Sequence, residues 1–240
     1  MPNWQVMNAR LTFFVAPDAQ IPSTLWRDTL GEEPEATAFQ RATLTRNESG
    51  LFADGKLSLV LQPMRIDWIH EPSSEGITPI LGPFPGAVEP LLSIGSRSRA
   101  NGSSPPTNRI ALGFVLISPT PDRETGYREL REFIDGVPST PDAVDFQYQV
   151  NRPRVSNVIE GLQVNRLSKW SVGGVRLLRV TLAGRTMTPT ITPIEHHLHL
   201  ELDISTAADF QEILPEERIQ DVIADLFRGA QEINEHGNHF

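Results

Sequence analysis

The stretch His197-Leu-His-Leu-Glu-Leu-Asp-Ile-Ser-Thr206, together with the segment that runs on to Ile233, decides the fold. Side chains along a strand alternate between its two faces. Residues 195–205 therefore read as a strand with His196, Leu198, Leu200, Leu202 and Ile204 on one face and Glu195, His197, His199, Glu201 and Asp203 on the other. The first face is core. The second meets solvent or a site. Pro215 then suits a helix first turn, and Glu216 and Glu217 suit the positive end of a helix. Ile219, Val222, Ile223, Leu226, Phe227, Ala230 and Ile233 recur at amphipathic-helix spacing, with Arg218, Asp221, Asp225 and Arg228 on the opposite, solvent face. A single buried stripe over 215–233 calls for a sheet to pack against.

Working back from this anchor, Arg109-Ile-Ala-Leu-Gly-Phe-Val-Leu-Ile-Ser118 is almost continuously apolar and is bounded by Asn108 and Pro119. That pattern predicts a central strand. Asp122 is a helix N-cap, and Tyr127, Leu130, Phe133 and Ile134 follow at helical spacing up to Gly136. Nearer the start, Leu11 to Val15 reads as a first strand, and a short helix carries Leu25, Trp26 and Leu30, with Ser23 before it and Gly31 as its stop.

Asp54-Gly55 marks a hairpin turn. Beyond it, Leu57, Leu59 and Leu61 share one strand face, as do Met64, Ile66, Trp68 and His70. A strand is expected at 43–45, a turn at 47–50, a short helix near 87–94 and a mobile loop over 96–108. Residues 145–152 alternate as a strand, with Phe146, Tyr148 and Val150 on one face. Segments 161–168 and 172–182 read as the two arms of a hairpin that turns near Ser171-Val-Gly-Gly174.

Composition narrows the function. The 240 residues carry a net charge of −9, which repels phosphate backbones and makes nucleic acid an unfavourable partner. The absence of cysteine removes disulfides, thiolate metal sites and a cysteine nucleophile. Residues 1–10 do not resemble a secretion signal, and no apolar run is long enough to span a bilayer. A cytoplasmic protein without membrane contact is expected. Twenty prolines and 17 glycines, spread along the chain, favour strands and loops over a helical bundle.

Four groups of residues carry candidate chemistry. His197 and His199 stand two apart on one strand face, and Glu201 or Asp203 could add an oxygen, an N/O set suited to zinc, iron or manganese. The competing reading is a polar strand face on which the histidines pair with acidic neighbours. Arg65 and Asp67 share a strand face and are expected to form an ion pair, with Trp68 in the core. The serines around Ser93 and Ser171 lack a nucleophile elbow, and Gly173-Gly174 is not a phosphate-binding loop. Arg97 and Arg99, with Arg109 nearby, and Arg152, Arg154 and Arg166 could grip an acidic partner or a phosphate, against a reading as solvated loop charges. No catalytic residue and no cofactor is assigned.

Three segments, Leu57-Ser-Leu-Val-Leu-Gln-Pro63, Asn108-Arg-Ile-Ala-Leu-Gly-Phe114 and Leu202-Asp-Ile-Ser-Thr206 with the terminal helix, resemble an uncharacterised, sporadically distributed family of bacterial proteins of similar length. The N-terminal stretch departs from that family. The resemblance implies an α+β unit and a bacterial accessory protein. It implies no catalytic residues.

The expected fold is α+β: antiparallel or mixed sheets with the long C-terminal helix packed on one. It is organised as two similar halves, 1–136 and 137–240, or as one continuous domain. The expected function is a non-catalytic cytoplasmic bacterial binding or adaptor protein, a subunit of a protein complex. Protein partners are expected, and self-association through exposed strand edges is a further expectation. The alternatives are a metal-dependent hydrolase or oxygenase using His197, His199 and Glu201, and nucleic-acid contact through the loop arginines.

Overall fold

The computed structural model describes residues 2–73, 78–100, 102, 104–137, 144–176, 178–183, 186–210, 212–237 and 239, with backbone alone for 99, 100, 178–183 and 186–190. The elements in chain order are β1 (Gln5–Val15), α1 (Leu25–Leu30), β2 (Ala36–Gln40), β3 (Thr45–Phe52), β4 (Gly55–Gln62), β5 (Arg65–Pro72), β6 (Gly82–Pro83), α2 (Glu89–Leu92) and α3 (Ile94–Ala100). They continue with β7 (Thr107–Thr120), α4 (Arg123–Leu130), β8 (Gln147–Asn151), β9 (Arg154–Val155), β10 (Gln163–Val175), β11 (Leu178–Ala183), β12 (Thr186–Ile191), β13 (Glu195–Thr206) and α5 (Ile219–His236).

Among the described residues, eleven strands form one antiparallel sheet in the order β2-β3-β4-β5-β1-β7-β13-β10-β8, with β6 beside β1 and β9 beside β10. Strands β11 and β12 pair as a separate hairpin. The sheet passes without interruption from the N-terminal strands to the C-terminal ones, because β7 pairs with β1 on one side and β13 on the other. The fold is α+β.

Alternation puts one row of each central strand under the helices. Leu11 and Phe13 of β1, Leu112 and Phe114 of β7, Leu200 and Leu202 of β13 and Trp170 of β10 are all buried there. Helix α5 lays Val222, Ile223, Leu226, Ala230 and Ile233 onto β13, β7 and β10. Helix α4 begins at Asp122, whose carboxylate accepts the Thr125 N–H at 2.7 Å, and its Tyr127 and Leu130 are buried beside the same strands. Edge-to-face and stacked rings tie the layers together: Trp4, Phe133 and Trp170 form one cluster, and Phe84, Phe114 and Phe227 another. No helix among the described residues is long and apolar enough to cross a membrane.

Several local expectations are corrected. Residues 161–182 do not form a hairpin turning at 171–174. β10 runs unbroken to Val175, and Gly173 and Gly174 pair with His197 and His196 of β13. A Cβ on Gly173 would come within 3.0 Å of His197 Nε2, and one on Gly174 within 3.2 Å of His196 Nδ1 and 2.8 Å of Ile194. The two glycines make room for the neighbouring strand's rings.

Residues 47–50 are the middle of β3 and not a turn. Gly50 leaves room for the Trp26 ring, which would lie 3.2 Å from an added Cβ. Strand β3 begins at Thr45, so a strand at 43–45 is not formed. The segment 96–100 is helical in α3 and not loop, because Ile94 is buried and Gly95 lies against Ile223 of α5. Asp225, assigned to the solvent face of the terminal helix, is 1% exposed, covered by the segment that carries Arg154, Ser156 and Asn157.

Candidate functional site

The helices pack on one face of the sheet; on the other, Ala111, Ile117, His197 and Ser205 are buried, but among the described residues the central stretch around Gly113 is partly exposed and open. On it the same alternation lines up Arg10, Gly113, Asp203 and Leu167 in one cross-strand row and Val115, Glu201, Lys169 and Gln149 in the next. These two rows bound a groove of about 360 Å³ in the middle of the sheet. The groove exists because Gly113 has no side chain where its neighbours in the row have long ones. Arg10 lies over that gap, its Nη2 3.3 Å from where a Cβ would stand.

The walls carry both charges. Arg10 stands 3.6 Å from Asp203, and Lys169 donates to Glu201 at 3.4 Å. Asn8 donates to Glu71 at 2.9 Å at the near rim. These pairs are partly exposed, so each contributes little to stability. A dipolar, partly apolar groove of this kind is chemically able to exchange its internal ion pairs for pairs with an incoming surface. Sequence reading missed Arg10, Gly113, Lys169 and Asp203 as members of this group. Asp203 was assigned to the correct strand face, but which residues of β1, β7 and β10 stand beside it depends on pairing register.

The histidine face lies at the end of this row system. His197 is 7% exposed and faces Gly173, while His199 is half-buried. Their ring centroids are 6.2 Å apart. Burial pushes the His197 pKa down, aided by the neighbouring His199 and His196. Burial also lowers that of His199, against the pull of Glu201 3.8 Å away. Glu201 is shared between His199 and Lys169. Among the described residues, no three His, Asp or Glu side chains are grouped as a metal ion requires.

Elsewhere the expected partners are found. Arg65 grips Asp67 through Nε at 2.7 Å and Nη2 at 2.9 Å, Thr12 donates to the same carboxylate at 2.6 Å, and Trp68 is buried. Burial lowers the pKa of His70, whose Nε2 lies 3.2 Å from the Phe52 carbonyl oxygen.

Arg97 and Arg109 do not form one patch. Arg109 extends along the open face, donating to the Thr206 carbonyl at 3.1 Å and to Ser205 at 3.2 Å, with its guanidinium 4.7 Å from the Phe14 ring centre. Arg97 is exposed on α3, in the helix layer. The Arg99 side chain lies outside the described residues. Compared with protein-family models and with curated proteins, the chain matches none.

Proposed function

We propose that the chain is a non-catalytic binding protein, a subunit of a bacterial cytoplasmic complex, which holds a partner protein on the open face of its sheet. The bacterial setting rests on the sequence resemblance. The observation that carries the binding reading is the groove at Gly113. It sits at the centre of a wide sheet and is walled by Arg10, Lys169, Glu201 and Asp203. A partner presenting a protruding side chain flanked by both charges fits this geometry. The half-buried Val115 and Leu167 supply apolar area between the charges.

Photo-crosslinking in cells of the source organism tests the reading, with a photoreactive residue placed at Val115 and, as a control in the helix layer, at Glu235. A discrete protein adduct is expected from position 115 and not from 235. The Arg10→Glu/Lys169→Glu double variant is expected to abolish it. Adducts from 235 alone, or an adduct at 115 that survives the charge reversal, would overturn the reading.

A further inference from the structure

The sheet ends at β2, and among the described residues β2 pairs only with β3. All five residues, Ala36-Thr-Ala-Phe-Gln40, are exposed, and Phe39 is 60% exposed. Natural edge strands are ordinarily protected by a charge, a proline or a covering element, because their open backbone groups pair readily with another strand. β2 contains neither charge nor proline. Its charges lie just outside it, Glu35 on one side and Arg41 on the other, both exposed.

Those two charges stand at equal distance from Ala38. We propose that β2 is a homodimer interface, in which two copies of this chain pair antiparallel about a two-fold axis through Ala38. That operation sets Ala38 opposite Ala38, Thr37 opposite Phe39 and Ala36 opposite Gln40. It also sets Glu35 of each copy opposite Arg41 of the other, so both ends of the ladder close with opposite charges. The two Phe39 rings become diagonal neighbours within aromatic reach and shield each other.

The partner is a second copy because the strand's flanks are complementary to themselves. At the other end of the sheet, the same operation about Gln149 of β8 would set Phe146 against Arg152 and Asp145 against Pro153, which cancels no charge. The two-fold stands perpendicular to the sheet, so pairing through β2 joins the two open faces into one surface and leaves both grooves free. The dimer is therefore independent of the binding reading above.

Light scattering and disulfide trapping of the full chain test this. The wild type is expected to run at twice the chain mass. Glu35→Arg and Arg41→Glu each place like charges opposite one another and are expected to give monomer, while the double swap, with the pairs restored in reverse, is expected to give dimer again. The chain has no cysteine of its own. Ala38→Cys is then expected to form an intermolecular disulfide by itself. Ala36→Cys and Gln40→Cys, about 14 Å from their own symmetry mates at about 3.4 Å per residue, are expected to crosslink only when mixed. A monomeric wild type would overturn the proposal, as would a dimer indifferent to both single reversals or crosslinking of Ala36→Cys with itself in preference to Ala38→Cys. All these positions are exposed, so folding of the variants is checked directly by circular dichroism.

Discussion

Arg154 holds Asp225 in a two-pronged ion pair, with Nη2 2.9 Å from Oδ1 and Nη1 3.2 Å from Oδ2, and the same Nη2 reaches the Asp225 carbonyl oxygen at 3.0 Å. Ser156 Oγ, Asn157 Nδ2, the Asn157 backbone N–H and Arg228 Nη1 also donate to the carboxylate, at 3.1, 3.2, 3.3 and 3.4 Å. The pair fastens the segment before β10 onto the middle of α5. Burial pushes the Asp225 pKa up, but the hydrogen bond and charge of Arg154 and the bonds from Asn157 outweigh it, and the net direction is down.

Arg154→Met is expected to cost about 3–5 kcal/mol, because it removes the two-pronged partner of a buried carboxylate and leaves it only the exposed Arg228, 3.4 Å away. Urea unfolding at pH 7 measures this, and a loss under 1 kcal/mol would contradict the assignment (a surface pair contributes about that much). The pH dependence follows from the direction of the shift. As pH falls, the unfolded carboxyl takes its proton first. The stability from Asp225 is therefore complete above the ordinary carboxylate range and is lost as pH falls through that range to the folded pKa. Asp225→Asn should remove this acid-limb slope.

The imidazoles govern a second, higher window. The pKa values of His70, His197 and His199 are all lowered, chiefly by burial. Each then accepts its proton in the unfolded chain before it does so in the folded one. Their stability contribution is complete above the ordinary imidazole value of about 6.5 and falls as pH drops from there toward the folded values. Thermal melts of wild type should show a falling midpoint below that point. His197→Gln/His199→Gln should show a shallower fall, and an unchanged slope would rule out the two strand histidines as its source.

Gly113→Ala separates folding from binding. Gly113 lies in an extended strand, and the three atoms nearest to an added Cβ all belong to the flexible guanidinium of Arg10. The variant is expected to fold with a stability change within about 1 kcal/mol, since an alanine replaces a strand glycine. It should displace Arg10 and narrow the groove, and so weaken the crosslink at position 115. Strong unfolding by this substitution would show that Arg10 cannot move aside.

Leu226→Ala tests the helix layer. Leu226 is fully buried between α5 and the sheet. The loss is expected at about 2–5 kcal/mol, from lost burial and the cavity left behind. Far-UV circular dichroism during denaturation should show one shared transition for helix and sheet, and an early helix-only step would argue against their packing as one layer pair.

Much of the fold could be read from local pattern. The alternation from His196 to Ile204 and the helical stripe from Ile219 to Ile233 each report one element's own buried face, and both match the structure. The same holds for the Asp122 cap, the Asp54-Gly55 turn and the Arg65–Asp67 pair, whose partners lie within a few residues. The glycines misled. Gly50 and Gly173 resemble turn signals, yet each is small because a distant side chain approaches it: Trp26 and His197 respectively. Asp225 misled for the same reason, since its burying partner lies 71 positions away in sequence.

The sequence by itself determined which faces of β13 and α5 are apolar and that both must pack, because periodicity is a property of a single element. It also determined that His197, His199 and Glu201 share a face. Only the tertiary structure decided what stands beside that face. Strand register places Lys169 on Glu201, Arg10 on Asp203 and Gly113 between them. Pairing across long sequence separations is set by the packing of the whole sheet and leaves no local trace. For that reason the His197–Ile233 stretch revealed the scaffold, and the groove beside it appeared only once β1, β7, β10 and β13 were in place.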